Sequence, residues 1–175
     1  MDALDPGLIA RAVDGDRQAF AELVERLHPR ALRFAHRMLG ETSDAEDVVQ
    51  DTFIRVWKAL PRFRVGAPFD PWFFKILGNR CRTALERRKR DATEVLEPEL
   101  VAEASAPDPY QLDEVHRVLN TLPAEQREAF LLYHVEGFSY EEIAQVTGAG
   151  LSALRMRVKR AMDTLRARLV EVTHA

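Results

Sequence analysis

The chain has 175 residues, 46% of them hydrophobic and 30% charged, which excludes collagen-like, low-complexity and fully disordered chains. No run approaches 18 apolar residues, and the first 20 residues carry four Asp and no apolar stretch, so we expect neither a transmembrane helix nor a secretory signal. The single cysteine, Cys81, cannot form an internal disulfide or a cysteine-based zinc site. We therefore expect a cytoplasmic protein without a cofactor.

Three segments of the N-terminal half have apolar residues at helical spacing. The first is 17–39, in which Pro29 is expected to kink the helix or to begin a new one. The second, 44–60, has the clearest period. The third is 71–90, and Cys81 lies on its apolar stripe, which makes it a small core residue.

The middle of the chain is acidic. Residues 91–116 hold 8 Asp and Glu and no Lys or Arg, together with three prolines and no helical period. This composition is typical of a linker. We predict a helical domain over 1–90, an acidic flexible linker over 91–111 and a second helical domain over 112–175.

The C-terminal part has the pattern of a helix-turn-helix. Helices are predicted near 112–122 and 124–134, and no segment favours a strand, so the fold is predicted to be all-α. A capping box at 139–142 begins a short helix, 148–150 form a tight turn, and a long basic helix follows over 151–169. The second helix of such a motif can lie in the major groove of DNA.

Basic residues are concentrated in two of these helices. Residues 75–90 hold seven Lys and Arg against one Glu, and residues 155–168 hold six against one Asp. Two such helices beside an acidic linker indicate two contacts with a polyanion. The alternative is a pair of solvated helix faces, which is the commoner explanation of any single charge run.

The helix over 151–169 also predicts which side chains meet DNA. Leu154 and Val158 are expected to face the core. The side chains expected on the exposed side are Ser152, Arg155, Met156 and Lys159. Arg155 can bond guanine through two hydrogen bonds, while Arg157 and Arg160 are expected at phosphates.

Four segments in fixed order resemble bacterial sigma factors. The segments similar to region two are 44–57 (DAEDVVQDTFIRVW) and 72–81 (WFFKILGNRC). The segments similar to region four are 122–130 (LPAEQREAF) and 137–144 (GFSYEEIA). Regions one and three are missing. The chain is therefore identified as a member of the extracytoplasmic-function (ECF) sigma factors, with a match that covers nearly all of it outside the linker and the termini.

The resemblance implies partners. These are core RNA polymerase, through its β′ clamp helices and β flap, promoter DNA and an anti-sigma factor. The 44–57 helix would dock on the clamp helices, and the matching contact positions are Asp47, Gln50, Asp51 and Phe53. The alternative for Phe53 is a core position, and the carboxylates can also favour the helix N-terminus.

The resemblance also implies that the 71–90 helix and the loop before it recognise and melt the minus-ten element and hold a flipped base. Asn79 matches a residue of the base pocket. Phe69 and Trp72 could stack or wedge there, with core packing as the alternative. The side chains expected to hold the DNA backbone are Lys75, Arg80 and Arg87.

Region four would read the minus-thirty-five element. The matching contact positions are Arg155, Met156, Lys159 and Arg160. Met156 stands where the family often has Ser, so one hydrogen-bonding group is missing, and Gly150 stands where Pro or Ser is frequent. The acidic linker is either a solvated spacer or a mimic of RNA in the polymerase channel.

The leading hypothesis is a sigma factor that works by binding and is not an enzyme. A sigma-like decoy for an anti-sigma protein and a stand-alone helix-turn-helix regulator are the alternatives. A decoy could have lost its DNA contacts, yet this chain has both basic helices and Asn79. A stand-alone regulator would leave the 44–57 pattern without a purpose. The five histidines have no close ligand spacing, so no metal site is predicted.

Overall fold

The computed structural model describes residues 4–40, 42–94 and 114–173, with side chains over 4–40, 44–91 and 117–168. Every regular element within these ranges is a helix, which confirms the all-α prediction for them. The helices are α1 (Pro6–Val13), α2 (Arg17–Leu39), α3 (Thr42–Ala59), α4 (Phe69–Glu94), α5 (Glu114–Thr121), α6 (Ala124–Phe130), α7 (Tyr140–Thr147) and α8 (Leu151–Thr173). A 3-10 turn (Leu60–Arg62) follows α3, and a π-helical turn (Leu131–Val135) follows α6.

Two N-terminal features were not settled by the sequence. Helix α1 was not expected, although Asp5 caps it by accepting a hydrogen bond from the Gly7 N–H at 3.0 Å. Helix α2 does not restart at Pro29 but runs through it. Leu27 and Ala31 on either side of the proline are buried, and this packing holds the helix together where the proline removes one backbone hydrogen bond.

The N-terminal unit, residues 4–94, is built on α2, α3 and α4, with α1 against α2. Aromatic rings join the three helices: Phe34 meets Phe74 edge-on at 5.3 Å between centroids, and Phe53 meets Phe73 at 5.5 Å. Cys81 is fully buried, as predicted, and burial raises the pKa of its thiol. Helix α4 continues to Glu94, four residues into the predicted linker, because no proline or glycine interrupts 91–94.

The C-terminal unit, residues 114–173, contains the helix-turn-helix. The capping box is confirmed, since Ser139 accepts from the Glu142 N–H at 3.2 Å and Glu142 accepts from the Ser139 N–H at 2.8 Å. Gly148 ends α7 with a φ of 75°, which favours glycine. Leu154 and Val158 of α8 are buried, as predicted.

The two units pack against each other and share one buried cluster. Helix α7 lies against α4, and α5 and α6 contact α2. Phe74 and Phe138 meet edge-on at 5.3 Å, and the guanidinium of Arg127 donates to the Met38 carbonyl at 2.5 Å. We call this the packed arrangement. Residues 95–111 of the predicted linker, and 112–113 after it, lie outside the described residues.

Candidate nucleic-acid interface

Helix α3 presents an acidic face. Asp47 and Gln50 are exposed and Asp51 is half-buried, so three of the four predicted polymerase contacts lie together. Phe53 does not join them. It is 8% exposed and packs on Phe73, which corresponds to the alternative core position.

The same face holds an apolar residue that the sequence reasoning missed. Ile54 is 48% exposed, one turn beyond Gln50 and two turns beyond Asp47. Helical spacing from Asp47 could have identified it. An exposed isoleucine among acidic and amide groups suits a partner with both basic and apolar side chains.

Asp51 connects α3 to α4. Its Oδ2 lies 2.9 Å from the Arg55 Nε and 2.5 Å from the Arg80 Nε. Partial burial acts to raise the pKa of Asp51, but the hydrogen bond from Arg55 and the charge of Arg80 outweigh it and hold the pKa below its ordinary value. A residue predicted to bind polymerase is therefore paired with one predicted to bind DNA.

Helix α4 carries an exposed row of side chains at four-residue intervals. Lys75, Asn79, Thr83 and Arg87 are exposed along it. Three of these are predicted minus-ten contacts, while Arg80 lies half-buried beside the row against Asp51. An amide between two cations on one helix face can meet a base edge while the cations meet phosphates.

A groove of about 470 Å³ opens beside Asn79, between α4 and the end of α3. Its lining residues are Arg55, Lys58, Ala59, Arg62, Ile76, Asn79, Arg80 and Thr83. Four cations surround one amide and one isoleucine, which is suited to a nucleic-acid strand with an unstacked base. The sequence reasoning missed Arg55, Lys58 and Arg62, whose only signal was their positive charge near the end of α3.

The two predicted aromatic contacts lie elsewhere. Phe69 is buried and Trp72 is half-buried, and both pack on Phe63, with centroids 5.2 Å and 4.8 Å from it. Phe69 and Trp72 also meet each other at 5.3 Å. Their aromatic cluster fixes the start of α4, which corresponds to the alternative of core packing.

Asn79 is itself tied to the C-terminal unit. Its Oδ1 accepts a hydrogen bond from the Arg82 guanidinium, which also pairs with Glu128 of α6. Glu128 is 3% exposed and sits over Gly78, where an added Cβ would lie 2.6 Å from its Oε1. Burial raises the pKa of Glu128 despite the nearby Arg82 charge. A second pair joins the units, because Arg30 Nε lies 2.7 Å from Glu136 Oε2.

The exposed face of α8 matches the prediction closely. The predicted contacts that lie exposed on it are Ser152, Arg155, Met156, Lys159 and Arg160. Arg157 is half-buried and pairs with Glu125 of α6, so its charge is turned toward its own unit. The Arg155 guanidinium lies over the Tyr140 ring, 5.6 Å from its centroid.

The described part of the chain contains no group of three or more His, Cys, Asp and Glu side chains arranged to hold a metal ion. Nor does any helix there combine the length and apolarity needed to cross a membrane.

Comparison with known proteins relates these faces to a family. The family described as Sigma-70 region 2 matches residues 23–91, and Sigma-70, region 4 matches residues 112–165. The RNA polymerase sigma factor NccH of Alcaligenes xylosoxydans xylosoxydans is 37% identical, over 95% of each chain. The ECF RNA polymerase sigma-E factor of Salmonella typhimurium is 31% identical, over 92% of each chain.

A solved structure agrees with these relatives. The sigma factor RpoE, in complex with the anti-sigma factor NepR from Bartonella quintana, is 31% identical and superposes with a TM-score of 0.74 over 86% of this chain and 96% of its own. The two matched regions, the relatives and this fold all point to one family. The chain belongs to the ECF RNA polymerase sigma factors.

Proposed function

We propose that the chain binds core RNA polymerase, directs it to specific promoters and helps to melt the minus-ten element. The observation that carries this is the presence of three exposed faces in one chain: the acidic face of α3, the basic row of α4 and the basic face of α8. A stand-alone DNA-binding protein needs only the last of them. The work is done by binding, without covalent chemistry, in the bacterial cytoplasm where the polymerase acts.

The acidic face of α3 is proposed to meet the β′ clamp helices. Asp47, Gln50 and Asp51 would supply polar contacts and Ile54 an apolar one. The C-terminal unit would meet the β flap. Charge complementarity of this kind sets the orientation of the partners and speeds their encounter.

The α4 row and the groove beside it are proposed to hold the minus-ten strand. Asn79 would read an unstacked base, and Lys75, Arg80 and Arg87 would hold the backbone. The aromatic cluster of Phe63, Phe69 and Trp72 supports the start of α4. The exposed face of α8 would read the minus-thirty-five element, with Arg155 at a base edge and Lys159 and Arg160 at phosphates.

Reading both elements requires the units to separate. The elements lie about 25 base pairs apart, which is about 85 Å of duplex. A compact chain of this length is only about 40 Å across. The packed arrangement is therefore proposed to be a resting state that opens on core polymerase, with the domains at 1–90 and 112–175 joined by the 91–111 linker.

An anti-sigma factor is the natural partner of that resting state. RpoE superposes on this chain while bound to the anti-sigma factor NepR. We propose that a protein of the same kind binds here and stabilises the packed arrangement, which would keep the two DNA-binding faces from reaching one promoter.

The test is transcription from a pool of genomic promoter fragments by core RNA polymerase with and without the purified protein, followed by sequencing of the transcripts. Defined start sites that require the protein are expected, with two shared sequence elements upstream. Core binding without transcripts would favour the decoy. Failure to bind core would overturn the proposal and leave a helix-turn-helix regulator as the better explanation.

A further inference from the structure

The Arg155 side chain is supported by a tyrosine from the neighbouring helix. Its guanidinium lies 5.6 Å from the centroid of the Tyr140 ring. Tyr140 is the first residue of α7, directly after the Ser139 cap, so the capping box with Glu142 fixes the backbone from which the ring projects. The ring position is therefore determined by the fold of the unit itself.

A second ring supports Tyr140 in turn. Tyr133 stacks on it with centroids 4.7 Å apart and planes 21° from parallel. Tyr133 lies in the π-helical turn that follows α6, and such turns are frequent at functional sites. The order of contacts is thus Tyr133, Tyr140, Arg155, and all three residues belong to the C-terminal unit, so none of these contacts crosses to the N-terminal unit.

This support matters because Arg155 is exposed at the start of α8. A free arginine samples many rotamers, whereas bidentate recognition of guanine requires one orientation of the guanidinium plane. Stacking on an aromatic face restricts that plane without consuming the donors at its edge. The neighbouring Met156 offers no hydrogen-bond donor, which leaves Arg155 as the main base-reading group on its turn.

We propose that Tyr140 is a positioning residue that sets base selectivity at the minus-thirty-five element by holding the Arg155 guanidinium. The inference rests on the proposed function, since it assumes that α8 reads that element.

The experiment uses full-length protein with core RNA polymerase on templates whose minus-thirty-five base pairs are randomised. Base preference at each position is measured from the templates that give transcripts. Arg155→Ala is expected to flatten the preference at one or two adjacent positions by about 5- to 150-fold. Tyr140→Leu, which keeps an apolar side chain but loses the ring, should flatten the same positions by about two- to fivefold, and Tyr140→Phe should retain the preference.

A double variant tests the mechanism. Tyr140→Leu added to Arg155→Ala should cause no further loss of preference, because the ring then has no guanidinium to hold. Lys159→Ala is the matched control and should weaken transcription evenly across sequences. The positioning role would be overturned if Tyr140→Leu weakened transcription evenly across all sequences. It would also be overturned if Tyr140→Leu reduced base preference as much in the Arg155→Ala background as in the unmodified chain. Absence of protein-dependent transcripts with the unmodified chain would instead contradict the proposed function.

Discussion

Removal of Arg82 is predicted to open the packed arrangement far more than removal of its partner, Glu128. Glu128 is 3% exposed, whereas the Arg82 side chain is 27% exposed and also donates to Asn79. Arg82→Met leaves a carboxylate in the interface without its cation. Glu128→Gln leaves a guanidinium that still reaches water and Asn79.

The magnitudes follow from this asymmetry. Loss of the cation from a buried ion pair leaves the buried carboxylate unpaired, which costs about 3 kcal/mol of interface stability. This is the lower end of the usual range, because Glu128 can take up a proton. That free energy shifts the equilibrium between packed and open forms by about 150-fold toward the open form. Glu128→Gln should cost less than about 1 kcal/mol of interface stability, because the Arg82 guanidinium that loses its partner still reaches water.

The assay is energy transfer between dyes on cysteines introduced at Lys58 and Arg166, which are exposed on α3 and α8. Cys81 is buried and should stay unlabelled. Arg82→Met should lower the transfer efficiency strongly and Glu128→Gln only slightly. Arg87→Met, at a largely exposed position of the same helix, is the control and should change nothing. Equal effects of the Arg82 and Glu128 changes, or none from Arg82→Met, would refute the reasoning.

Three further outcomes are expected. Asp51→Arg should weaken core binding by about 100-fold by placing like charge on the contact, while Asp51→Asn weakens it less, and normal co-migration with core on a sizing column would contradict this. Asn79→Ala should spare duplex binding but reduce permanganate reactivity of thymines near the start site, and unchanged reactivity would remove Asn79 from the base pocket. Burial raises the pKa of Glu128 and of Glu136 above the ordinary 4.5, and separation of the units restores that value. The packed arrangement should therefore gain stability as the pH falls toward 4.5 and lose it as the pH rises through the raised pKa values of the two carboxyl groups. Energy transfer should follow the same trend, and the double variant Glu128→Gln, Glu136→Gln should abolish it.

Sequence alone predicted the helices well where several signals agreed. The helix-turn-helix combined a capping box at Ser139, glycines at the turn and a regular apolar stripe, and the structure has all three. Helix α1 was missed because eight residues give too short a period, although Asp5 and Pro6 form a normal helix start. The sequence could not decide between a kink and a new helix at Pro29, because burial of its neighbours, which holds α2 continuous, is a tertiary effect.

The site residues divide in the same way. The exposure of Asp47, Asn79 and Arg155 follows from helical spacing, since a polar side chain opposite the apolar stripe faces solvent, whereas the roles predicted for Asp47 and Asn79 come from the family resemblance. Phe53 and Phe69 could not be assigned, because an aromatic side chain near the edge of a stripe suits either the core or a contact. Their burial depends on which helices pack beside them.

The packing between the units was beyond sequence reasoning for a related physical reason. Glu128 and Glu136 are acidic residues that normally stay in water, and the opposing Arg82 and Arg30, which pair with them directly, make their burial tolerable. Buried ion pairs add little net stability, yet they permit one register of the two units and penalise others. Attraction comes from apolar contacts such as Phe74 against Phe138. An interface of this composition is specific without being strong, which is what the proposed opening on core polymerase requires.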